Sequence, residues 1–448
     1  MKKGLFCIMV VTVMSWLPSL AAQYNIVDFG AVSDTTRLST EAIQRAIDQC
    51  SANGGGRVVV PAGQYKTGTL VLRSRVDLHL ELGATLYGST RLEDYRKVKP
   101  SYLSLRTQTS TIQLVYADSV SQVSISGQGV IDGRGAAFKK LSWNDEGITR
   151  PHLLRFVQCQ DISVTGITLR NSGCWMQHYL ACDRVRISGI KVFNRNNFNN
   201  DALDLDGCHD VVVSDMMADS DDDGITLKST SPRLCENIVI QNCIVSSHCN
   251  AIKLGTETNG GFRNISIANC VVKPSADQTS QFFGDPSKRG TSAVSLEITD
   301  GGVLENVHVS NIVVEGTESP IFIRLGNRAR TYAEGVKVEQ VGRIKGVHLR
   351  GITVSGAGRT GCSITGLQGH PVEDVWLSDI TISQQGGCDV IDVPADEKER
   401  DYPEATMWGP LPAKGFFVRH ARNVNFCNIV INSDHPDQRP DFVRVDVE

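Results

Sequence analysis

Two short stretches of the chain concentrate carboxylates, Asp201-Ala-Leu-Asp-Leu-Asp206 and Asp219-Ser-Asp-Asp-Asp-Gly-Ile-Thr-Leu-Lys228. In both, apolar and polar residues alternate, the pattern of a strand with one buried face. Leu203, Leu205, Ile225 and Leu227 then point inward, and Asp204, Asp206, Thr226 and Lys228 point outward. A third stretch, Asn250-Ala-Ile-Lys-Leu254, repeats the alternation and turns Lys253 outward. Stacked in parallel at the roughly 4.8 Å spacing of adjacent strands, the three place Asp201, Asp223 and Asn250 in one column at the strand starts. Five carboxylates, of Asp201, Asp204, Asp206, Asp222 and Asp223, then share a small patch with Lys228 and Lys253 beside them. Like charges this close raise one another's pKa and keep one carboxyl protonated. Glycoside hydrolysis needs this pairing: a protonated carboxyl for the leaving oxygen and a carboxylate for the attacking water. The lysines suit an acidic sugar. A solvated acidic face or a calcium site could use the same residue types. The recurrence of Asp201 and Asp204 one turn before Asp222 and Asp223 favours the catalytic reading.

The stack itself is written as a repeat. Segments of one design begin at Asp161, Arg184, Asp210 and Asn237, at intervals of 23, 26 and 27 residues, and return at Asn264, Asn306, Gly346, Asp374 and Asn423. Each is a short alternating strand, a Gly/Asn/Asp bend and a second strand. A unit this small cannot bury its own apolar face, but stacked units make a continuous core. Val164, Ile187, Val213, Ile240 and Ile267 fall at equivalent places and are expected to form an inward ladder. Asn242, Asn269 and Asn311 fall at the bends, where asparagine tolerates left-handed backbone. The Leu-x-x-Leu-x-Leu signature of a leucine-rich horseshoe is missing. The expected fold is all-β: a single right-handed parallel β-helix with a capping helix at its N-terminal end. Ser39 or Thr40 can start that helix, whose apolar face is Ala42, Ile43, Ala46, Ile47 and Cys50, with Gly54-Gly55-Gly56 ending it. Residues 395–412, rich in charge and proline, are expected to be a long loop, not a linker to a second domain.

Composition narrows the function. The 448 residues are 41% hydrophobic and carry a net charge of -4, without the basic surface a nucleic-acid partner requires. Lys2, Lys3, the apolar run Leu5 to Leu17 and Ser19-Leu20-Ala21 read as a cleaved export signal over residues 1–21, leaving 22–448 as one domain in the periplasm or outside the cell. No later stretch is long and apolar enough to span a bilayer. Cys182, Cys208, Cys243, Cys270 and Cys427 recur at or beside similar repeat positions, as buried thiols in a stacked core would, although export also permits disulfides. No Cys/His spacing supports a metal site.

At the aspartates the chain resembles glycoside hydrolase family 28, the polygalacturonase and rhamnogalacturonan hydrolase family. Asn199-Asn-Asp-Ala-Leu-Asp204 and Asp222-Asp-Gly-Ile-Thr-Leu-Lys-Ser229 look like its Asn-Thr-Asp and Asp-Asp motifs. The resemblance extends to Asp28-Phe-Gly-Ala31, Gly54-Gly-Gly-Arg-Val-Val-Val-Pro61 and Pro410-Leu-Pro-Ala-Lys-Gly-Phe416. It implies an inverting hydrolase of pectic polysaccharide or oligosaccharide, with no metal and no cofactor, read here as a monomer. Asp222 would be the general acid, Asp201 and Asp223 would hold and activate water, and Asp204 would support them. Asp221-Asp222-Asp223 offers two registers, and 222/223 is preferred because it directly precedes the Gly224 strand. The chain departs from the polygalacturonase pattern where Asn250 replaces the histidine of Gly-His-Gly and Ser295-Leu-Glu297 replaces a basic motif. Those departures, with Lys228, resemble rhamnogalacturonan hydrolases and shift the expected substrate to the mixed backbone. Glu297 is expected to repel a uronate, and Asn250, Lys228 and Lys253 to bind substrate.

Three residues are weaker candidates. His178 would line a subsite or be a surface histidine. Arg324 would bind a carboxylate or pair with Glu297, and Trp408 would stack on sugar or cover the core. Two other functional classes fit the same fold: a lyase or epimerase, which would call for calcium or a basic catalytic residue, and a non-catalytic carbohydrate-binding β-helix.

Overall fold

The branched residues stack as their spacing demands. In a computed structural model describing residues 22–107, 111–138, 149–275 and 289–448, Val164 pairs with Ile187, Ile187 with Val213, Val213 with Ile240 and Ile240 with Ile267. The column continues through Val309, Leu349 and Leu377, and all of these side chains are buried. Full burial of one such side chain contributes about 1.5–3 kcal/mol, so a ladder this long dominates the stability of the stack. Among the described residues, 32 strands join in one sheet wound as a right-handed parallel β-helix. The export signal expected over residues 1–21 lies outside the described residues.

The bends follow the asparagine reading. Asn242, Asn269 and Asn311 have φ of 57°, 57° and 55°, in the left-handed region. Their amides also join the turns: Asn311 Nδ2 donates to Asn269 Oδ1 at 3.3 Å and Asn242 Nδ2 to Asp215 Oδ1 at 3.4 Å. A parallel row, Asn237, Asn264 and Asn306, is linked in the same way at 3.1 and 3.2 Å. The residue type thus supplies both the backbone conformation and the contact between turns.

The N-terminal end is covered by the helix Thr40–Ala52, whose buried face is Ala42, Ile43, Ala46, Ile47 and Cys50. Ser39 is the capping residue, but its hydroxyl donates to the Val32 carbonyl (3.2 Å) instead of accepting from the helix amides. Six of the twelve described cysteines form two buried columns, Cys159–Cys182–Cys208–Cys235 and Cys243–Cys270, as free thiols. Cys427 belongs to neither. It pairs with Ser378 at the outward position just before the Asn428 bend and is exposed, whereas Cys243 and Cys270 follow their bends. Residues 387–415 lack regular secondary structure and fold back over the face that carries the aspartates. Among the described residues, no helix is long and apolar enough to cross a membrane.

Candidate active site

Two consecutive turns hold the aspartates, and a third holds Asn250 and Lys253. The strand Leu203–Asp206 lies against Ile225–Ser229, which lies against Asn250–Thr258, with Asp204 beside Thr226 and Thr226 beside Lys253. Backbone hydrogen bonds run from Met176 to Asp201, from Ala202 to Asp223 and from Gly224 to Asn250, at 2.9, 3.0 and 2.8 Å. Asp201, Asp223 and Asn250 therefore occupy one column. Although they point away from the core, these side chains are almost fully enclosed; Asp222, at 8% exposure, is the most open of the acids.

Two lysines set the charge of the cluster. Lys253 Nζ lies 3.1 Å from Asp223 Oδ2. Lys228 Nζ lies 3.6 Å from Asp204, 3.8 Å from Asp201 and 3.6 Å from Glu257, and 4.7 Å from the Trp175 ring centroid. Burial pushes the Asp223 carboxyl up, but the ammoniums of Lys253 and Lys228, with hydrogen bonds from Asn250 and Lys253, bring it below the ordinary aspartate value. Asp222 goes the other way. Burial first, then the Asp223 charge, pushes it up to about 7, despite the backbone N–H of Asp223 donating to its Oδ1 at 2.9 Å. Two adjacent residues are thereby split into a proton carrier and a carboxylate. Burial, then Asp204 and Asp222, also raises Asp201 well above its ordinary value. The Asp201/Asp223 pair is thereby divided in proton affinity, with Asp223 held below the ordinary aspartate value and Asp201 above it.

Several expected roles change. Asn250 does not reach outward for substrate. Its Nδ2 donates to Asp223 Oδ1 (2.9 Å) and its Oδ1 accepts from Ser292 (2.6 Å), so it fixes the carboxylate of Asp223. Lys228 and Lys253 are spent chiefly on carboxylates of the protein. Asp206 leaves the cluster: it accepts from the backbone and hydroxyl of Thr230 (2.8 and 2.6 Å) and meets His178 Nε2 at 3.1 Å. His178 is fully enclosed, neither a surface histidine nor a subsite wall; burial pushes its pKa down to about 4. Arg324 is buried too, donating to the carbonyls of Gly366 (3.2 Å) and Glu397 (2.6 Å). It packs against one face of the Trp408 ring, which is itself partly buried. Burial pushes Glu297 up to about 7, so it carries little charge below neutral pH and repels a uronate less than expected. Asp221, the alternative register, is fully buried against His248 at 3.0 Å.

The repeat pattern left three residues unseen. Glu257 sits beyond Gly255 in a strand whose visible alternation stops at Leu254; it is held by Lys228, Arg106 (2.9 Å) and Arg330 (2.6 Å). Tyr402 and Glu404 arrive from the 387–415 loop. The Tyr402 hydroxyl accepts from Lys253 Nζ at 3.3 Å, and Glu404 Oε2 lies 4.0 Å from Cys249 Sγ. Glu257 had a weak signal, an acid next to a strand end, and the loop residues had none. Asp222, Asp223 and Cys249 bring possible metal ligands within 4.8 Å of one another. The Lys253 ammonium already supplies the counter-charge at Asp223, which disfavours a second cation there.

Residues 50–395 match the family model of glycosyl hydrolases family 28. A probable polygalacturonase of Vitis vinifera is 31% identical over 215 residues, 46% of this chain and 44% of that protein. An exo-poly-alpha-D-galacturonosidase of Dickeya chrysanthemi is 35% identical over 167 residues, 36% of this chain and 27% of that protein. The matched stretches thus span less than half of these relatives. The solved exopolygalacturonase of Thermotoga maritima shares the fold, with a TM-score of 0.71 at 21% identity over 92% of both chains. A family match over most of the chain, on a β-helix that gathers the spaced aspartates in one enclosed patch, makes this protein a member of glycosyl hydrolases family 28.

Proposed function

We propose that the protein hydrolyses galacturonic-acid linkages of pectic polysaccharide with inversion. The observation that carries this is the different setting of two adjacent enclosed carboxyls: Asp223 meets Lys253 at 3.1 Å and Asn250 at 2.9 Å, which lowers its proton affinity, while burial and the Asp223 charge raise that of Asp222. Asp223 takes a proton from water as the water oxygen bonds to the anomeric carbon. The bond from that carbon to the leaving oxygen breaks, and the leaving oxygen takes the proton of Asp222. Asp201 and Asp204 stand beside Lys228, and Asp201 holds the water by hydrogen bonding. A lyase or epimerase would need a base that removes a ring proton; the lysines here are paired with carboxylates and keep their protons. A binding-only β-helix has no use for a carboxyl held protonated next to an ionised one.

The substrate we propose is a rhamnogalacturonan-type backbone or its oligosaccharides. An ammonium has three donors. Lys253, fully buried, gives two to Asp223 and Tyr402 and has at most one left for a uronate. In its row Ser295 and Phe322 follow, so no further cation stands there. A backbone that alternates uronate with neutral rhamnose asks for fewer cations than a run of uronates. A charge-assisted contact contributes ~1.5–3 kcal/mol, enough to set the preference. We further propose export through the leader at residues 1–21, where such polymers are met, and a monomeric state.

The test compares kcat/KM on polygalacturonate and rhamnogalacturonan fragments and follows the anomeric signal of the first product by proton NMR. Preference for the mixed backbone with inversion is expected. Faster cleavage of polygalacturonate would overturn the substrate, and a retained configuration the mechanism. Unsaturated product would mark a lyase, and binding without turnover a non-catalytic role.

A further inference from the structure

The strand that follows the aspartate turns carries a bulge. Leu227 pairs with Leu254 and Ser229 with Thr258, so Gly255, Thr256 and Glu257 stand opposite Lys228 alone. Extra residues on one strand bend it and re-aim a side chain. Gly255 has φ of 128°, and a Cβ there would lie 2.9 Å from the Glu297 side chain, so the bulge requires glycine at this point. Its result is to set Glu257, 3% exposed, against the Lys228 ammonium.

The two oxygens of Glu257 meet different partners. Oε1 accepts from Arg106 (2.9 Å) and Arg330 (2.6 Å). Arg106 belongs to residues 98–106, which lie over the earlier turns, with Tyr102 3.2 Å from Ser231 and the Leu105 N–H on the Thr230 carbonyl at 2.8 Å. Arg330 belongs to the segment after Leu325, where Arg328 is tied to Asp300 at 2.5 Å. Oε2 faces Lys228 Nζ at 3.6 Å. That ammonium is nearly equidistant from three carboxylates: 3.6 Å from Glu257, 3.6 Å from Asp204 and 3.8 Å from Asp201. It shares the Trp175 ring with Arg106, each 4.7 Å from the centroid.

We infer that Glu257 is a positioning residue: it shares the Lys228 ammonium with Asp201 and Asp204, and so limits how much positive charge reaches the acids of the site. This rests on the hydrolase reading above. Burial works to lower the Lys228 pKa, and Glu257, then Asp204, Asp201 and Asp223, hold it above the ordinary lysine value. Burial works to raise the Glu257 carboxyl, and Lys228, Arg106, Arg330 and Arg328 bring it well below its ordinary value. Asp201 faces Asp204, Asp222, Lys228 and Asp223, and Asp222 faces Asp223, Lys253 and Lys228. Lys228 is the cation common to both, and it favours loss of the proton from each. With Glu257 neutral, the ammonium is left to Asp201 and Asp204, and Asp222 gives up its proton at lower pH.

The test follows kcat/KM against pH and, independently of turnover, titrates the aspartates by carbon NMR of protein labelled at the Asp carboxyl carbon. Glu257→Gln is expected to move the alkaline fall of kcat/KM to lower pH by about half a pH unit, with KM little changed, and to move the Asp222 titration with it. Glu257→Asp is expected to return the fall most of the way. Arg330→Gln removes a positive charge and leaves Glu257 more fully to Lys228, so the fall is expected to move to higher pH, by a smaller amount because Arg330 is partly exposed. If Glu257→Gln does not fold, since it leaves Lys228 and Arg106 buried without their anion, Arg330→Gln decides: a fall moved to higher pH supports the inference, and an unmoved one overturns it. Activity lost at every pH, with the alkaline fall and the Asp222 titration unmoved, would show that Glu257 is only a structural clasp, leaving the hydrolase reading intact. If no pectic substrate is cleaved, the hydrolase reading fails, and the Asp222 titration alone decides whether Glu257 acts through Lys228.

Discussion

Asp222 and Asp223 are chain neighbours with opposite proton affinities, and the difference comes from what each one faces. Asp223 faces Lys253 at 3.1 Å and the Asn250 amide at 2.9 Å. Asp222 meets burial and the Asp223 charge. The sign of the pH dependence follows. The proposed mechanism needs Asp223 ionised and Asp222 protonated, so kcat/KM is expected to rise with pH through a value below the ordinary aspartate range and to fall as pH passes about 7. Asp222→Asn is expected to cost at least ~100-fold on the polymer and to remove the alkaline fall. On an aryl galacturonide whose leaving group needs no proton, the loss should shrink sharply. Equal losses on both substrates would show that Asp222 is not the acid.

At the scale of the element, a turn contributes through what it stacks on. Ile267 is fully buried between Ile240 and Val309, whereas Ser266, next in the chain, points outward and is exposed. Ile267→Ala leaves a cavity between two turns and is expected to destabilise by ~2–5 kcal/mol. Ser266→Ala is expected to stay within ~0.5 kcal/mol. Urea unfolding of the two variants measures the contrast. Similar midpoints would mean that the inward ladder does not carry the stability of this region. The asparagine bends explain how strands of the same pattern keep register through successive turns: each bend sets a left-handed corner and donates to the turn before it.

At the scale of the molecule, the last turn holds a loop that completes a site in the middle turns. His420 lies between Glu397 Oε1 (2.7 Å) and Asp446 Oδ2 (2.6 Å), and Arg419 donates to the same Glu397 oxygen at 3.0 Å. Burial works to raise the Glu397 carboxyl, but hydrogen bonding and charge from His420 and the Arg419 charge hold it below its ordinary value. His420→Ala should therefore loosen residues 394–412 without unfolding the stack. Limited proteolysis within this segment is expected to speed up about tenfold, equivalent to ~1.4 kcal/mol of local stability, with the main thermal transition little moved. Unchanged cleavage would show that the His420 clasp does not hold the loop.

The amino-acid sequence by itself determined the β-helix, its ladders, the capping helix and the column of Asp201, Asp223 and Asn250. Alternation of period two and a repeat near one turn's length leave stacking as the way to bury the apolar face, and stacking carries the outward residues into columns. The sequence also showed that acids and lysines would meet. Only the tertiary structure decided how they divide the work. Asn250 and Lys253 hold Asp223, His178 holds Asp206, and Arg324 holds a loop. Each had looked able to meet a substrate, His178 and Arg324 less so than Asn250 and Lys253. An outward side chain's role depends on what lies over it, and the covering segments, 98–106 and 394–412, follow no repeat. Their place is set by contacts with distant turns, through Tyr102 on Ser231 and Tyr402 on Lys253, which local periodicity does not encode.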